Sequence, residues 1–432
     1  MKKIKYLIIF LMGTIVLAQQ NPLTLEESLK IGLKSSKEIK LSESAVTSAN
    51  AKLTEISSNL YPQLSVGFNY NHLSEVPVQF SSPIFSATGG AIDALYANAT
   101  IEQPLFTGLK LLSLRNAAEY GKEAALVQSS QTINEKAFTI HMSFWNLYRT
   151  EKLVKVLREN IAGLEKHLRD TELFFQNGLV TKNDLLKLKV RVSETRTQLI
   201  ETENAFEIAR AIYNKNLGFS LSQKTEISVE NFEDNLTEYG YSQILEEAIN
   251  SRSELVSNKY QSLAAEEKIT AAKSTWFPQI GAFGSFNYLK VDGTQLLKSD
   301  WTNFWMVGVN VKWNIWDWWK TSSVAEQAEQ QYNQVQLYSQ ILKENIEIEV
   351  YKNHLQLQSE ASKVKVSKLR VESAEENYRI INDKYETQLV TSTELIDADS
   401  ELLNAKTKLI TSYINYKIAK VYLEKSIGRK IY

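Results

Sequence analysis

From Val309 to Ile427 the chain contains neither glycine nor proline, and its apolar residues keep a period of seven. Val350, Leu357, Val364, Val371, Tyr378 and Tyr385 fall at every seventh position, and beyond Gln388 so do Leu395, Leu402, Leu409, Tyr416 and Leu423. Without glycine or proline a helix has no strong interrupter, and a seven-residue apolar repeat under-winds it to about 3.5 residues per turn, which imposes a left-handed supercoil. The stretch predicts a long coiled hairpin, with helices over 317–387 and 391–427 and a turn near Thr387–Val390.

The same pattern stands earlier in the chain. A helix over 107–176 carries Ile140, Leu147, Val154, Ile161, Leu168 and Phe175 as its seam. Asn177-Gly178 turns the chain, and a helix over 179–217 follows with Leu185, Val192, Leu199, Phe206 and Tyr213. Leu105-Phe106, Leu179-Val180-Thr181 and Gly218 return as Ile315-Trp316, Leu389-Val390-Thr391 and Gly428, all displaced by 210 positions. Leu25-Glu26-Glu27 returns as Leu245-Glu246-Glu247, and Tyr61-Pro62-Gln63 as Phe277-Pro278-Gln279. Repetition in fixed order marks an internal duplication of helix, strand, loop, strand, long helix, turn and helix. The first repeat covers 19–218 and the second 245–428. A polar segment over 219–244 joins them, and 429–432 is a tail.

Between the opening helices and the long ones, the period changes from seven to two. Leu64, Val66, Phe68 and Tyr70 alternate with Ser65, Gly67, Asn69 and Asn71. Strands are predicted over 63–73 and 96–104, the second closed by Pro104, and again over 279–290 and 302–313. Ser74–Leu95, with Pro77, Pro83, Gly89 and Gly90, reads as a loop. Four strands with one apolar face each could pack beneath a helix in a soluble protein. Tryptophan argues otherwise: Trp301, Trp305, Trp313, Trp316, Trp318 and Trp319 crowd into nineteen positions around the last strand. Tryptophan belts sit where hydrocarbon meets headgroups, and strands of about ten residues suit an outer-membrane barrel. Four strands cannot close a barrel, and open edges in lipid leave backbone groups unpaired. Copies of the chain would have to supply the missing edges, with eight strands from two copies or twelve from three; a conduit favours three or more.

The N-terminus places the protein outside the cytoplasm. Lys2, Lys3 and Lys5 precede an apolar run over Tyr6–Leu17, and Ala18 and Gln19 flank a small-residue cleavage site, so 1–18 reads as a signal peptide. The chain has no cysteine, which excludes disulfides, a lipid-bearing cysteine and thiolate chemistry, and a net charge of −1, which argues for no nucleic-acid partner. Its four histidines, His72, His141, His167 and His354, are scattered, and no metal site or cofactor is expected. On the last helix Ala398, Ala405, Ser412, Ala419 and Ser426 form a small-residue seam beside the leucine seam. Such paired seams let one helix pack against two neighbours, as in a closed helical wall.

The duplicated Leu-Glu-Glu starts, the aromatic-Pro-Gln strand entries, Leu-Phe-Thr-Gly-Leu-Lys at 105–110 and the two Leu-Val-Thr restarts together resemble the TolC-like outer-membrane efflux protein family. The resemblance spans the mature chain. It implies a mixed α and membrane-β fold: a homotrimer whose twelve-stranded outer-membrane β-barrel, four strands per chain, continues into a long periplasmic α-helical coiled-coil barrel. It implies a non-enzymatic exit duct of a tripartite efflux or type I secretion system. The expected partners are outer-membrane lipid, a periplasmic adaptor and an inner-membrane transporter. The family's acidic constriction maps onto Glu394 and Asp397, three apart and so on one helix face, although Thr391-x-x-Glu394 is also a capping box. Its tip latch maps onto Asp184 and Tyr385, while the latch arginine corresponds to Val390, a departure from the pattern. A periplasmic adaptor or a structural coiled coil of the envelope is the alternative. Adaptors carry one hairpin between lipoyl halves, and this chain shows two hairpins without them.

Overall fold

Two helices open each half, side-chain-capped in the first half and not in the second, and lead into paired strands. The computed structural model describes residues 22–73, 79–82, 85–88, 92–229, 236, 239–292 and 300–432. Ala18, Gln19 and the rest of the expected signal peptide lie outside the described residues. Helix α1 (Leu25–Ser35) starts at a reciprocal cap in which Thr24 and Glu27 satisfy each other's backbone N–H, and Ser36 caps α2 (Lys37–Ser58). Strand β1 (Gln63–Leu73) follows, then a short hairpin of β2 (Gln79–Ser82) and β3 (Phe85–Thr88), then β4 (Ile92–Phe106). Helices α3 (Lys110–Gln176) and α4 (Lys182–Leu217) form the first long hairpin. The second half repeats the order with α5 (Tyr241–Ser251), α6 (Ser253–Lys273), β5 (Gln279–Asp292), β6 (Thr302–Lys312), α7 (Lys320–Glu386) and α8 (Ser392–Ser426). Both α3 and α7 are 67 residues long, about 100 Å at 1.5 Å per residue. Among the described residues no helix is long and apolar enough to cross a membrane.

Beside the two-stranded β2–β3 hairpin, the other four strands form one antiparallel sheet in the order β1-β4-β5-β6. Its register aligns the alternation of every strand. Val66 lies opposite Ala99, Ala99 opposite Phe286, and Phe286 opposite Trp305. One step along, Leu64, Ile101, Gly284 and Val307 form the next row. One face is therefore apolar across all four strands, and it is open: Val66, Phe68, Trp305, Val307 and Val309 are all well exposed. The opposite face carries Ser65, Asn69, Asn98, Thr100, Asn287 and Asn310, and there the Tyr96 hydroxyl donates to Asn287. Side chains alternate across a strand, so a one-residue slip would turn the apolar row inside out.

Among the described residues three cores hold the helices, the smallest being Leu164 of α3 with Leu188 and Val192 of α4. Ile140, Phe144, Leu147 and Tyr148 of α3 gather with Leu29, Tyr213, Leu217 and Ile414. Val350, Leu357 and Val364 of α7 gather with Tyr416, Ala419, Leu423 and Ile244. All five small residues of the α8 seam are buried. The second neighbour is met differently from the expectation, however. Ser412 bonds Ser367 of α7 at 3.1 Å and Ala419 lies in the α7 core, so at these positions the small seam widens the contact with α7. Helix α3 is met by a third stripe, Ile410, Ile414, Ile418 and Val421.

Several boundaries differ from the pattern reading. Part of the expected loop Ser74–Leu95 is strand: β2 and β3 lie inside it, and β4 begins at Ile92. Pro104 does not close β4, which runs on to Phe106 through a register shift between the two; a bulge accommodates the N–H that proline lacks. Helix α5 begins at Tyr241, inside the expected linker, and the linker itself returns to the first half through a parallel bridge of Ile227 with Leu23. The tail is bound: Arg429 forms a two-armed pair with Glu247 at 2.6 and 2.8 Å, and the Ile431 carbonyl sits 2.8 Å from His141 Nε2.

Candidate functional site

At the far end of the hairpins from the sheet, two tight turns reverse the chain. In the first, Gly178 has φ of +72°, and the Leu179 N–H reaches the Phe174 carbonyl at 2.9 Å. In the second, Gln388 holds φ of +59°, and Leu389 N–H reaches the Lys384 carbonyl at 2.8 Å. These bonds occupy carbonyls that a helix end leaves open. Each returning helix starts at a reciprocal cap, Thr181 with Asp184 and Thr391 with Glu394. Leu179 and Leu389, at the extreme tips, are exposed.

Glu394 and Asp397 are both exposed and share the open face of α8. Glu394 Oε2 accepts from the Thr391 N–H at 2.8 Å, so this carboxylate caps its helix while its charge stays in solvent. The two latch candidates are not joined to each other. Asp184 is taken up by its own cap, accepting from the Thr181 N–H at 3.1 Å and hydroxyl at 2.6 Å. Tyr385 is buried and does link the hairpins: its hydroxyl meets Thr171 Oγ1 of α3 at 2.6 Å and Ser392 Oγ of α8 at 3.3 Å.

Further ties between the hairpins surround Tyr385, and the sequence pattern did not pick them out. His167 Nε2 of α3 lies 2.8 Å from the Tyr378 hydroxyl of α7. Burial lowers the His167 pKa and raises that of Tyr378, so this contact is one between neutral groups at neutral pH. Lys187 Nζ donates to Thr393 Oγ1 at 3.0 Å. Deeper in the bundle, Asn160 of α3 donates to Asp399 of α8 at 2.7 Å, with Arg191 of α4 3.9 Å away. Asp399 was visible in one respect: it stands four residues after Leu395, on a buried stripe where a charge is out of place.

The tryptophans divide between the ends of β6. Trp301 stacks on Tyr288 at one end, with Trp305 four residues further along the strand; at the other, Trp313 donates its indole N–H to the Trp276 carbonyl at 3.2 Å. Trp316 then packs edge-on against both Trp318 and Trp319. Trp318 and Trp319 hold φ of +55° and +62°, where the first repeat has Gly108 and Leu109 at +61° and +69°, an uncommon conformation for bulky residues. All six tryptophans are exposed. Twelve residues separate Trp301 from Trp313, roughly 40 Å of strand; tilted as barrel strands are, that is a height of about 30 Å, the thickness of a hydrocarbon core. Among the described residues no cluster of His, Asp or Glu could hold a metal ion.

Comparison with known proteins agrees with this geometry. The family model described as outer membrane efflux protein matches residues 29–215 and 244–429, one segment in each half. The chain is 20% identical over 385 residues to the outer membrane protein TolC of Vibrio cholerae serotype O1, covering 87% of this chain and 84% of the relative. It is 22% identical over 407 residues to TolC of Escherichia coli K12, covering 91% and 80%. Among solved structures it superposes on VceC of Vibrio cholerae with a TM-score of 0.80 at 14% identity, over 94% of this chain and 97% of that one.

Proposed function

Since the chain belongs to the outer membrane efflux protein family, and is thereby an efflux channel of a Gram-negative outer membrane rather than an adaptor or a structural coiled coil, we propose that three copies assemble into one continuous conduit. Each contributes four strands to a twelve-stranded barrel and two hairpins to a helical barrel beneath it. The observation that carries this reading is the open sheet. Among the described residues β1 and β6 each pair on one side only, while one face of the sheet is apolar from edge to edge. Unpaired edges in lipid cost several kcal/mol per backbone group, so β6 of one copy and β1 of the next must meet.

The helices give the same requirement. Leu186, Val190 and Ile200 stand exposed along α4, and Ile348, Leu355 and Val366 along α7. Exposed apolar stripes of this length mark a surface that another helix covers. A second copy of the same wall has the matching seven-residue period. In the trimer, Glu394 and Asp397 form rings of negative charge around the threefold axis and favour cations at the narrow end. The tryptophans at the two ends of β6 form the two interfacial girdles. Tyr385 holds the first hairpin to the second, with Asp184 shaping the neighbouring turn. A periplasmic adaptor docks on the tips around Leu179 and Leu389, and an inner-membrane transporter supplies the energy for efflux or type I secretion.

Cross-linking of an outer-membrane fraction, followed by gel electrophoresis of heated and unheated samples, tests the assembly. Cross-linked trimers and heat-modifiable mobility are expected. Soluble monomers would refute the conduit.

A further inference from the structure

A carboxylate is buried where the two hairpins meet, and it is only half satisfied. Asp399 of α8 is 4% exposed. Asn160 Nδ2 of α3 donates to its Oδ1 at 2.7 Å, and Arg191 Nη2 of α4 stands 3.9 Å from its Oδ2. That is near enough for charge attraction and too far for a hydrogen bond. Three atoms of the cluster are buried without a hydrogen-bond partner: Asp399 Oδ2, Asn160 Oδ1 and Arg191 Nε. One proton changes this arrangement. A neutral Asp399 carries an O–H donor, and Asn160 Oδ1 is an acceptor that lacks one; an acid and an amide are complementary on both edges.

We propose that Asp399 is a proton-operated tie between the hairpins: neutral, it lets α3, α4 and α8 pack; ionised, it favours their separation, because half of a buried carboxylate then lacks a bond. The groups facing it are Asn160 from α3, Arg191 from α4 and Tyr378 from α7. Arg191 also lies 4.0 Å from Glu194 of its own helix, so its charge is shared. Burial raises the Tyr378 pKa, and the charge of Asp399 raises it further, so the phenol stays neutral and adds no competing charge. The first repeat lacks the device: its matching residue, Lys189, is exposed and pairs with Glu172 at 3.0 Å.

The direction with pH follows from burial. Desolvation pushes the Asp399 carboxyl up to about 6, against the pull of Arg191 and of the Asn160 bond. Separation hydrates it and returns it to the ordinary range near 3.8. Below about pH 4 the acid is neutral in both arrangements and packing is undisturbed. Between about 4 and 6 only the separated arrangement ionises, so the balance moves toward separation by up to about a hundredfold, and above 6 it stays there.

The chain has no cysteine, so spin labels can be placed at two chosen positions of the purified full-length protein. Lys187→Cys and Thr393→Cys replace a pair in contact across the hairpins, and pulsed dipolar spectroscopy reads their separation. A long-distance population should grow from pH 4 to 6.5 and stay constant to pH 8. Asp399→Asn should keep the short distance throughout, and so should Asp399→Ser, a second neutral variant. A wild-type distribution that ignores pH, or neutral variants that follow the wild type, overturns the proposal. Bilayer conductance of the same samples separately tests whether separation opens a conduit, which rests on the channel reading.

Discussion

Replacing Thr171 with valine should loosen the hairpin tips more than removing the hydroxyl of Tyr385, its partner. Thr171 Oγ1 donates to the His167 carbonyl of its own helix at 2.7 Å. Its single proton is thereby used, so at the 2.6 Å contact it must accept from Tyr385. Tyr385 in turn has only acceptor capacity left for Ser392 at 3.3 Å. In Tyr385→Phe, Thr171 keeps its bond to His167, and the loss is one good and one long hydrogen bond, about 1 kcal/mol net. In Thr171→Val the shape is kept, but the tyrosine O–H, 3% exposed, loses its 2.6 Å acceptor while still buried, with only the long Ser392 contact at 3.3 Å in its place. Stranding a buried donor costs about 2 kcal/mol. At 1.4 kcal/mol per tenfold, the separated population should rise about fivefold for Tyr385→Phe and about thirtyfold for Thr171→Val.

The assay is hydrogen exchange of the α7–α8 turn, read with closed-state conductance in planar bilayers. The double variant is decisive, because Tyr385→Phe removes the stranded donor. Thr171→Val with Tyr385→Phe should be less open than Thr171→Val alone. If the two changes simply add, or if Tyr385→Phe is the more disruptive, the assignment of donor and acceptor is wrong. If neither alters exchange at the turn, Tyr385 does not tie the hairpins.

Two further predictions concern charge. Glu394→Gln with Asp397→Asn removes the charge of both residues while leaving an oxygen to cap Thr391, so block by multivalent cations should weaken while the thermal midpoint holds; unchanged block in bilayer recordings rejects the ring. Burial of His141 lowers its pKa, against the bond to Ile431, so the folded chain binds a proton less readily than the unfolded one. The stability that this confers is present above about pH 6.5 and falls as pH drops through the window below it. His141→Gln keeps a donor for Ile431 and should flatten that part of the melting profile between pH 5 and 7; a slope equal to the wild type's would show that other groups set it.

What could be read from sequence, and what could not, follows from how each feature is encoded. A seam such as Val350, Leu357 and Val364 is repeated many times over a long helix, so its period survives any single exception, and the duplication repeats it once more. The ends of α3, α4, α7 and α8 accordingly fall within a few residues of expectation. The strand faces were legible for the same reason, since each alternation in β1 has its partner in β4, β5 and β6. Pro104 misled because a single residue has a strong local preference that a bulge can absorb. The tryptophans appeared as one cluster because sequence distance ignores the length of an extended strand; β6 places Trp301 and Trp319 at opposite ends. Asp399 lay furthest from reach. Its meaning depends on Asn160 and Arg191, 239 and 208 positions away, brought together only when the two hairpins pack. The periodic residues make the tube wall, and their repetition makes them conspicuous. The residues that decide whether two hairpins stay together must break that repetition, because a tie between unlike neighbours has no counterpart in the other repeat: Asp399 answers to Lys189, Tyr385 to Phe175 and His167 to Asn377. A position where the two repeats differ in charge or hydrogen-bonding capacity, on a face the period marks as buried, is therefore where the conformational control of a duplicated wall should be sought.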